Sequence, residues 1–139
     1  MQVTSVLVAM LVGKDDPESI AQFDQLFTYT LARISDIYCV LPALEIVLMV
    51  LNKIRPEQKT AEFSDRVFKT VSWPNLNATS FNYSTRNLIF RIYEVYTIDK
   101  TLLTAVDPAL FVTCAMSAVE NEGDPRNLLL VFQLEAFML

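Results

Sequence analysis

The chain has 139 residues, of which 53% are hydrophobic and 19% are charged, and its mean hydropathy is +0.33. This length suits one compact domain or a fragment of a longer protein. The apolar content is high for a small soluble domain and indicates that a membrane or neighbouring protein segments cover part of the surface. The net charge is −5 and the eleven Lys and Arg are scattered, which argues against nucleic-acid binding through phosphates. There is no His, and Cys39 and Cys114 lie far apart in the sequence, so no metal or iron–sulfur ligand set is predicted.

Two apolar stretches near the N-terminus raise the question of a membrane. Residues 1–12 lack the basic start and the cleavage site of a signal peptide and predict a helix over 3–12. The run from Ile37 to Leu51 carries one charge, Glu45, and predicts an inner helix covered nearly all round. A membrane span is the alternative, but crossing takes about 20 apolar residues, and this run is shorter and contains Pro42.

Helical spacing continues through the first half of the chain. Asp16 and Pro17 predict the start of an outer helix, with Asp16 as its cap. Its predicted buried stripe is Ile20, Phe23, Phe27, Leu31 and Ile34. Pro56 predicts the start of the next helix, over 57–72, before a break at Trp73 and Pro74. The predicted apolar side of that helix is Phe63, Val67, Phe68 and Val71.

The second half repeats the pattern. A helix over 82–98 is predicted, then a short turn at Leu102 and Leu103, then a helix opened by Asp107 and Pro108. The predicted inward residues of these two helices are Thr85, Leu88, Ile89, Ile92, Tyr93, Tyr96, Leu110, Phe111, Cys114, Ala115 and Ala118.

The segment from Glu122 to Phe132 is the clearest helix junction in the sequence. We expect Gly123 to adopt the left-handed conformation after one helix, Asp124 to cap the next, and Pro125 to take its first position. The helix that follows is apolar on most of its circumference and therefore requires packing on more than one side.

Alternate helix starts are about 40 to 50 residues apart, which is typical of HEAT and armadillo repeats. The sequence thus predicts an all-α fold, a HEAT/armadillo-like right-handed alpha-solenoid of antiparallel helix pairs, with an irregular helical bundle as the alternative. We interpret residues 1–139 as a single segment of such repeats. Neither end carries a polar capping helix, which favours a fragment of a longer solenoid.

Few residues suggest chemistry, and no catalytic, cofactor-binding or metal-binding residue is predicted. Asp15, Asp16 and Glu18 are expected to stabilise a helix N-terminus. Glu45 is expected either to reach an edge of its helix or to pair with an arginine such as Arg86 or Arg91. Trp73, placed beside Pro74 in a predicted surface loop, is a candidate protein-contact residue.

The junction also carries a family resemblance. Asp124-Pro125-Arg126-Asn127-Leu128-Leu129 followed by Phe132, with the run 40–44 and the helix around 87–96, resembles the N-terminal region of a large HEAT-repeat family. That family was first named for methyl-methanesulfonate sensitivity. It is the targeting subunit of cytosolic iron–sulfur protein assembly and is linked to nucleotide excision repair and transcription. The resemblance covers about residues 35–139.

The resemblance implies a non-enzymatic adaptor in the cytoplasm and nucleus. It would deliver the iron–sulfur assembly machinery to apo-client proteins of DNA repair, replication and transcription. Its implied partners are other targeting subunits and these clients; it implies no cofactor, no direct nucleic-acid contact and no membrane. Arg126 is the second candidate protein-contact residue, Asn127 is expected to bond the preceding turn, and homodimerisation is left open. A generic HEAT-repeat adaptor and a membrane-associated helical protein are the alternatives.

Overall fold

A computed structural model describes residues 1–76 and 81–138, and over these residues the chain is helical with no strand. The all-α class predicted from the helical spacing is therefore confirmed, and it is consistent with a HEAT-like solenoid. The chain divides into two compact units, an N-terminal unit (Met1–Gln58) and a C-terminal unit (Lys59–Leu139). This division does not test the expectation of a single segment of repeats, which stays a prediction.

The N-terminal unit contains three α-helices that pack against one another, followed by a 3₁₀ turn over Pro56–Gln58. The helices are α1 (Gln2–Leu11), α2 (Pro17–Arg33) and α3 (Val40–Lys53). Asp16 caps α2 as predicted, because its Oδ2 accepts the Ser19 N–H at 3.0 Å. Phe27, Leu31 and Ile34 are buried in agreement with the predicted stripe, whereas Ile20 is exposed.

The start of α3 corrects one prediction. The helix begins at Val40 and leaves Ile37 and Tyr38 exposed in the preceding turn. Cys39 is the N-cap, so Pro42 falls at the third helical position, where a backbone N–H has no partner within the helix. Half of the α3 residues are buried, as expected of an inner helix. Glu45 is exposed, which agrees with the first expectation for it, and Arg86 pairs with Glu122 instead. No helix of the described residues is long and apolar enough to cross a bilayer.

The C-terminal unit is formed by six further helices within the described residues. They are α4 (Ala61–Thr70), α5 (Trp73–Leu76), α6 (Tyr83–Ile98), α7 (Lys100–Leu103), α8 (Pro108–Asn121) and α9 (Pro125–Met138). The single helix predicted over 57–72 is interrupted, because Thr60 caps α4 by accepting the Phe63 N–H at 3.1 Å. Asn82 and Asp107 cap α6 and α8 in the same way, and α9 packs on both α6 and α8.

An aromatic cluster fills the core of this unit. The ring centroid of Phe68 lies 5.3–5.5 Å from the ring centroids of Tyr93, Tyr96 and Phe111. The Tyr96 hydroxyl donates to the backbone carbonyl of Ser64 in α4, at 2.7 Å. The Tyr93 hydroxyl donates to the carbonyl of Val71, the C-cap residue of α4, also at 2.7 Å. Burial raises the pKa of both phenols, so the hydroxyls remain protonated donors. These bonds fix the C-terminal half of α6 against α4, while the N-terminal half of α6 lies beside the α8–α9 junction, where Arg86 contacts Glu122.

Candidate protein-contact surfaces

The α8–α9 junction is organised around the buried carboxylate of Glu122. Arg86 in α6 contacts both of its oxygens, with Nε 2.9 Å from Oε2 and Nη2 3.2 Å from Oε1. The Asp124 backbone N–H also donates to Oε1, at 2.8 Å. Gly123 lacks the positive φ expected of it, so that prediction is wrong. The Glu122 side chain, held by Arg86 of α6, accepts the Asp124 backbone N–H at the turn, so a left-handed residue is not required there.

Two asparagines extend this arrangement between α9 and α6. Asn127, fully buried, donates through Nδ2 to Glu122 Oε2 at 3.2 Å, which confirms that it bonds the preceding turn. Its Oδ1 accepts from Asn87 Nδ2 at 3.0 Å, and Asn87 Oδ1 accepts from Arg91 Nε at 2.7 Å. We call Arg86, Glu122, Asn127 and Asn87 the junction network. It satisfies the polar atoms that the α8–α9 turn brings into the protein interior.

Arg126 lies at the exposed edge of the junction. Its guanidinium group pairs with Asp124, Nη2 to Oδ2 at 2.7 Å, and its Cζ is 3.6 Å from the ring centroid of Tyr83. The hydrogen bonds from Arg126 lower the pKa of Asp124 to about 2. The Arg126 side chain is 64% exposed, so it remains available to a partner, and its predicted contact role stays a prediction.

Trp73 does not have the surface position that the sequence predicted. Only 3% of its surface is exposed, and its ring stacks on Phe90 of α6 at 5.2 Å between centroids. The short helix α5, which begins at Trp73, packs on α8 and buries the indole instead of leaving it in a loop. Trp73 is therefore a core residue of the C-terminal unit.

The most exposed apolar side chains of the N-terminal unit lie on α1 and in the α2–α3 turn. Val3, Val6 and Met10 follow helical spacing along one side of α1 and are largely exposed. Ile37 and Tyr38 project from the α2–α3 turn, and Tyr38 is 92% exposed. Exposed aromatic residues are favoured anchors in protein interfaces. Sequence reasoning missed Ile37 and Tyr38 because it placed them in the helix; the position of Pro42 was the signal that the helix starts later.

In the C-terminal unit, Leu129 and Phe132 are exposed on α9, so the predicted packing of this helix on more than one side leaves part of it free. A groove of about 520 Å³ lies at α7 and the start of α8. We call it the α7–α8 groove, and its lining is mainly apolar: Lys100, Leu103, Thr104, Val106, Pro108, Phe111 and Val112. No sequence pattern predicted this groove, because a groove depends on how α7 packs next to α8.

Thiol and carboxylate groups offer little for metal binding. Burial raises the pKa of the Cys114 thiol, and a metal ligand must be a thiolate. Among the described residues, no cluster of three or more His, Cys, Asp or Glu has the geometry to hold a metal ion. What these residues do offer are apolar and aromatic surfaces with charged edges, a pattern suited to contacts with other proteins.

Comparison with known proteins gives one match. The family model of the MMS19 N-terminal region, described as a Dos2-interacting transcription regulator of RNA-Pol-II, matches residues 2–139. No curated protein and no solved structure matches the chain significantly. The family match includes the segment 35–139 that carried the resemblance and extends it through α1 and α2. The chain thus belongs to the MMS19 N-terminal family.

Proposed function

We propose that this chain acts as a non-enzymatic adaptor in the cytoplasm and nucleus. It binds components of cytosolic iron–sulfur assembly and apo-client proteins of DNA repair, replication and transcription, and brings them together. The observation that carries the proposal is the family match over residues 2–139. The family's description names a protein that it interacts with and a role in transcription, and an adaptor accounts for both.

The surface chemistry supports a role in protein contacts. Large contiguous apolar patches on a monomer usually have a function, and exposed aromatic residues are favoured anchors in protein interfaces. The turn with Ile37 and Tyr38 presents such residues outside any helix, where they can enter a pocket of another protein. We propose this turn as one contact point of the adaptor.

Co-purification tests the proposal. The tagged 139-residue chain is incubated with cell extract, washed, and probed by immunoblot for an iron–sulfur assembly targeting subunit and for an iron–sulfur helicase client. We expect the chain to recover at least one of them, and Ile37→Ser combined with Tyr38→Ser to reduce that recovery. Ile20→Ser is the matched control, since Ile20 is also exposed but lies within α2. Recovery of neither class of protein by the wild-type chain would contradict the proposal.

A transcription adaptor without an iron–sulfur role is the second candidate, and the family description favours it directly. The same extract distinguishes the two. Recovery of RNA polymerase II-associated proteins, with no assembly subunit and no iron–sulfur client among them, would assign the chain to this second function.

A further inference from the structure

We propose that the α7–α8 groove binds a short segment of a partner protein that combines apolar side chains with a carboxylate at one end. The inference rests on the proposed function only in treating the chain as a protein-binding adaptor. It concerns a site and a ligand chemistry that neither the family description nor the resemblance specifies.

The floor of the groove is rigid and apolar. Val106 and Phe111 are buried, and the Phe111 ring is held by stacking on Phe68 at 5.4 Å and by an edge contact with Tyr93 at 6.3 Å. Leu103 and Val112 contribute walls, and Val112 is 47% exposed. Because the aromatic core fixes the floor, the groove exists before any ligand binds, and little conformational entropy is lost on binding.

The size of the groove favours a short segment over a folded surface. Its volume of about 520 Å³ lies in the range of pockets that enclose a small ligand, which corresponds to a few side chains. A stable contact between two copies of a protein buries roughly 800 Å² on each partner, more than a groove of this kind supplies by itself. A linear segment that inserts two or three apolar side chains matches the available space.

The charges around the groove indicate the polar group of the ligand. Lys100 lines the rim and is exposed, and within the described part of the chain it has no ion pair. Of the neighbouring charges, Lys59 Nζ pairs with Asp99 Oδ2 at 2.5 Å, and the exposed Asp107 carboxylate caps α8 by accepting the Ala109 N–H through Oδ1. Among the described residues that line the groove, Lys100 is therefore the cation available to a ligand, and it complements a carboxylate.

Peptide selection followed by affinity measurement tests the groove. A display library of random twelve-residue peptides is selected on the immobilised chain and counter-selected on Val112→Asp, which places a charge in the apolar wall. The enriched peptide is then synthesised with a fluorophore and titrated by anisotropy. We expect enrichment of apolar residues next to Asp or Glu, and a loss of affinity of about tenfold in Lys100→Glu. Replacing the peptide's acidic residue by Lys should restore binding to Lys100→Glu.

Two controls keep the test specific. Leu129→Asp places a carboxylate on an exposed helical position outside the groove, and Lys53→Glu reverses an exposed lysine of α3; both should bind the peptide like the wild type. Circular dichroism checks that each variant is folded. The inference is overturned if no peptide is enriched against Val112→Asp, or if the enriched peptides bind Lys100→Glu unchanged. A concentration-dependent dimer abolished by Val112→Asp would also overturn it, since the groove would then bind a second copy.

Failure of this inference is distinguishable from failure of the proposed function. If extract proteins are still recovered while no peptide binds the groove, only the groove assignment is wrong. If peptides bind as expected while no assembly subunit or client is recovered, the groove stands and the iron–sulfur role is wrong.

Discussion

The guanidinium group of Arg86 in α6 contacts both carboxylate oxygens of Glu122, at 2.9 and 3.2 Å, and thereby joins α6 to the turn between α8 and α9. The Glu122 side chain has no exposed surface, and Arg86 is largely covered. A charge in such a position requires its partner, because desolvation is compensated only while the pair is intact. The pair therefore fixes the position of α9, the helix that carries the exposed Leu129 and Phe132.

Replacing Arg86 by Met should destabilise the chain strongly. The change leaves the Glu122 carboxylate buried without its cation, and we expect the free energy of unfolding to fall by about 3 kcal/mol. Urea denaturation followed by circular dichroism measures it. Lys69→Met is the control: its pair with Asp65, at 2.8 Å, is on the surface of α4, so its effect should stay below about 1 kcal/mol. Equal effects of the two substitutions would show that the burial of Glu122 has no energetic weight.

Asn127→Ala should also cost stability, by a different mechanism. It removes the bridge between Glu122 and Asn87 and leaves their polar atoms with fewer partners in the protein interior. We expect a loss of about 1–3 kcal/mol in the free energy of unfolding. The double variant with Arg86→Met should lose less than the sum of the single losses, because both substitutions act on Glu122. Additive losses in this cycle would contradict a shared network.

The ionisation of Asp124 should make the stability of the fold depend on pH in the acidic range. Its folded pKa of about 2 lies below the ordinary value of 3.8, so its ionised form stabilises the fold at pH values above about 4. That stabilisation is lost as the pH falls from about 4 towards 2, when the carboxylate is protonated. In Arg126→Met the pKa should rise towards 3.8, though not fully, because the Arg126 backbone N–H still donates to Asp124. NMR titration of the Asp124 carboxyl carbon measures this pKa. A pKa unchanged in Arg126→Met would contradict the conclusion that Arg126 lowers it.

Tyr93→Phe should remove one buried hydrogen bond without creating a cavity. The Tyr93 hydroxyl donates to the Val71 carbonyl at 2.7 Å, and that acceptor would lose its side-chain donor in the protein interior. We expect a loss of about 1 kcal/mol in the free energy of unfolding. Tyr29→Phe, at a half-exposed position in α2, should change the free energy of unfolding little. An ultraviolet pH titration should also show two phenols that ionise far above pH 10, Tyr93 and Tyr96, and only one of them in Tyr93→Phe.

Alanine substitution should lower the free energy of unfolding strongly at Trp73 and hardly at all at Tyr38. Trp73→Ala empties space beside Phe90 and should lower the free energy of unfolding by about 3–5 kcal/mol. Tyr38→Ala removes an exposed ring and should change stability by less than about 0.5 kcal/mol. Thermal and urea denaturation measure both. A nearly neutral Trp73→Ala would restore the surface position that the sequence predicted for this residue.

The junction illustrates how far prediction from the sequence reached. The Asp-Pro pairs at 16–17, 107–108 and 124–125 indicated three helix starts correctly, because caps and first-turn prolines act through neighbouring backbone atoms. Gly123 was predicted wrongly because its neighbour Glu122 is held by Arg86, 36 residues away in the sequence. Local rules do not include a partner from another helix.

The sequence by itself determined the helical class, most helix boundaries, the aromatic core residues of α6 and the family. Each of these follows from spacing along the chain or from local backbone chemistry. Only the tertiary structure decided that Trp73 is buried, that Glu45 is exposed, that Arg86 pairs with Glu122, and that α7 and α8 leave a groove. These outcomes depend on which helices meet and at what distance, and that is fixed by packing between residues far apart in the sequence.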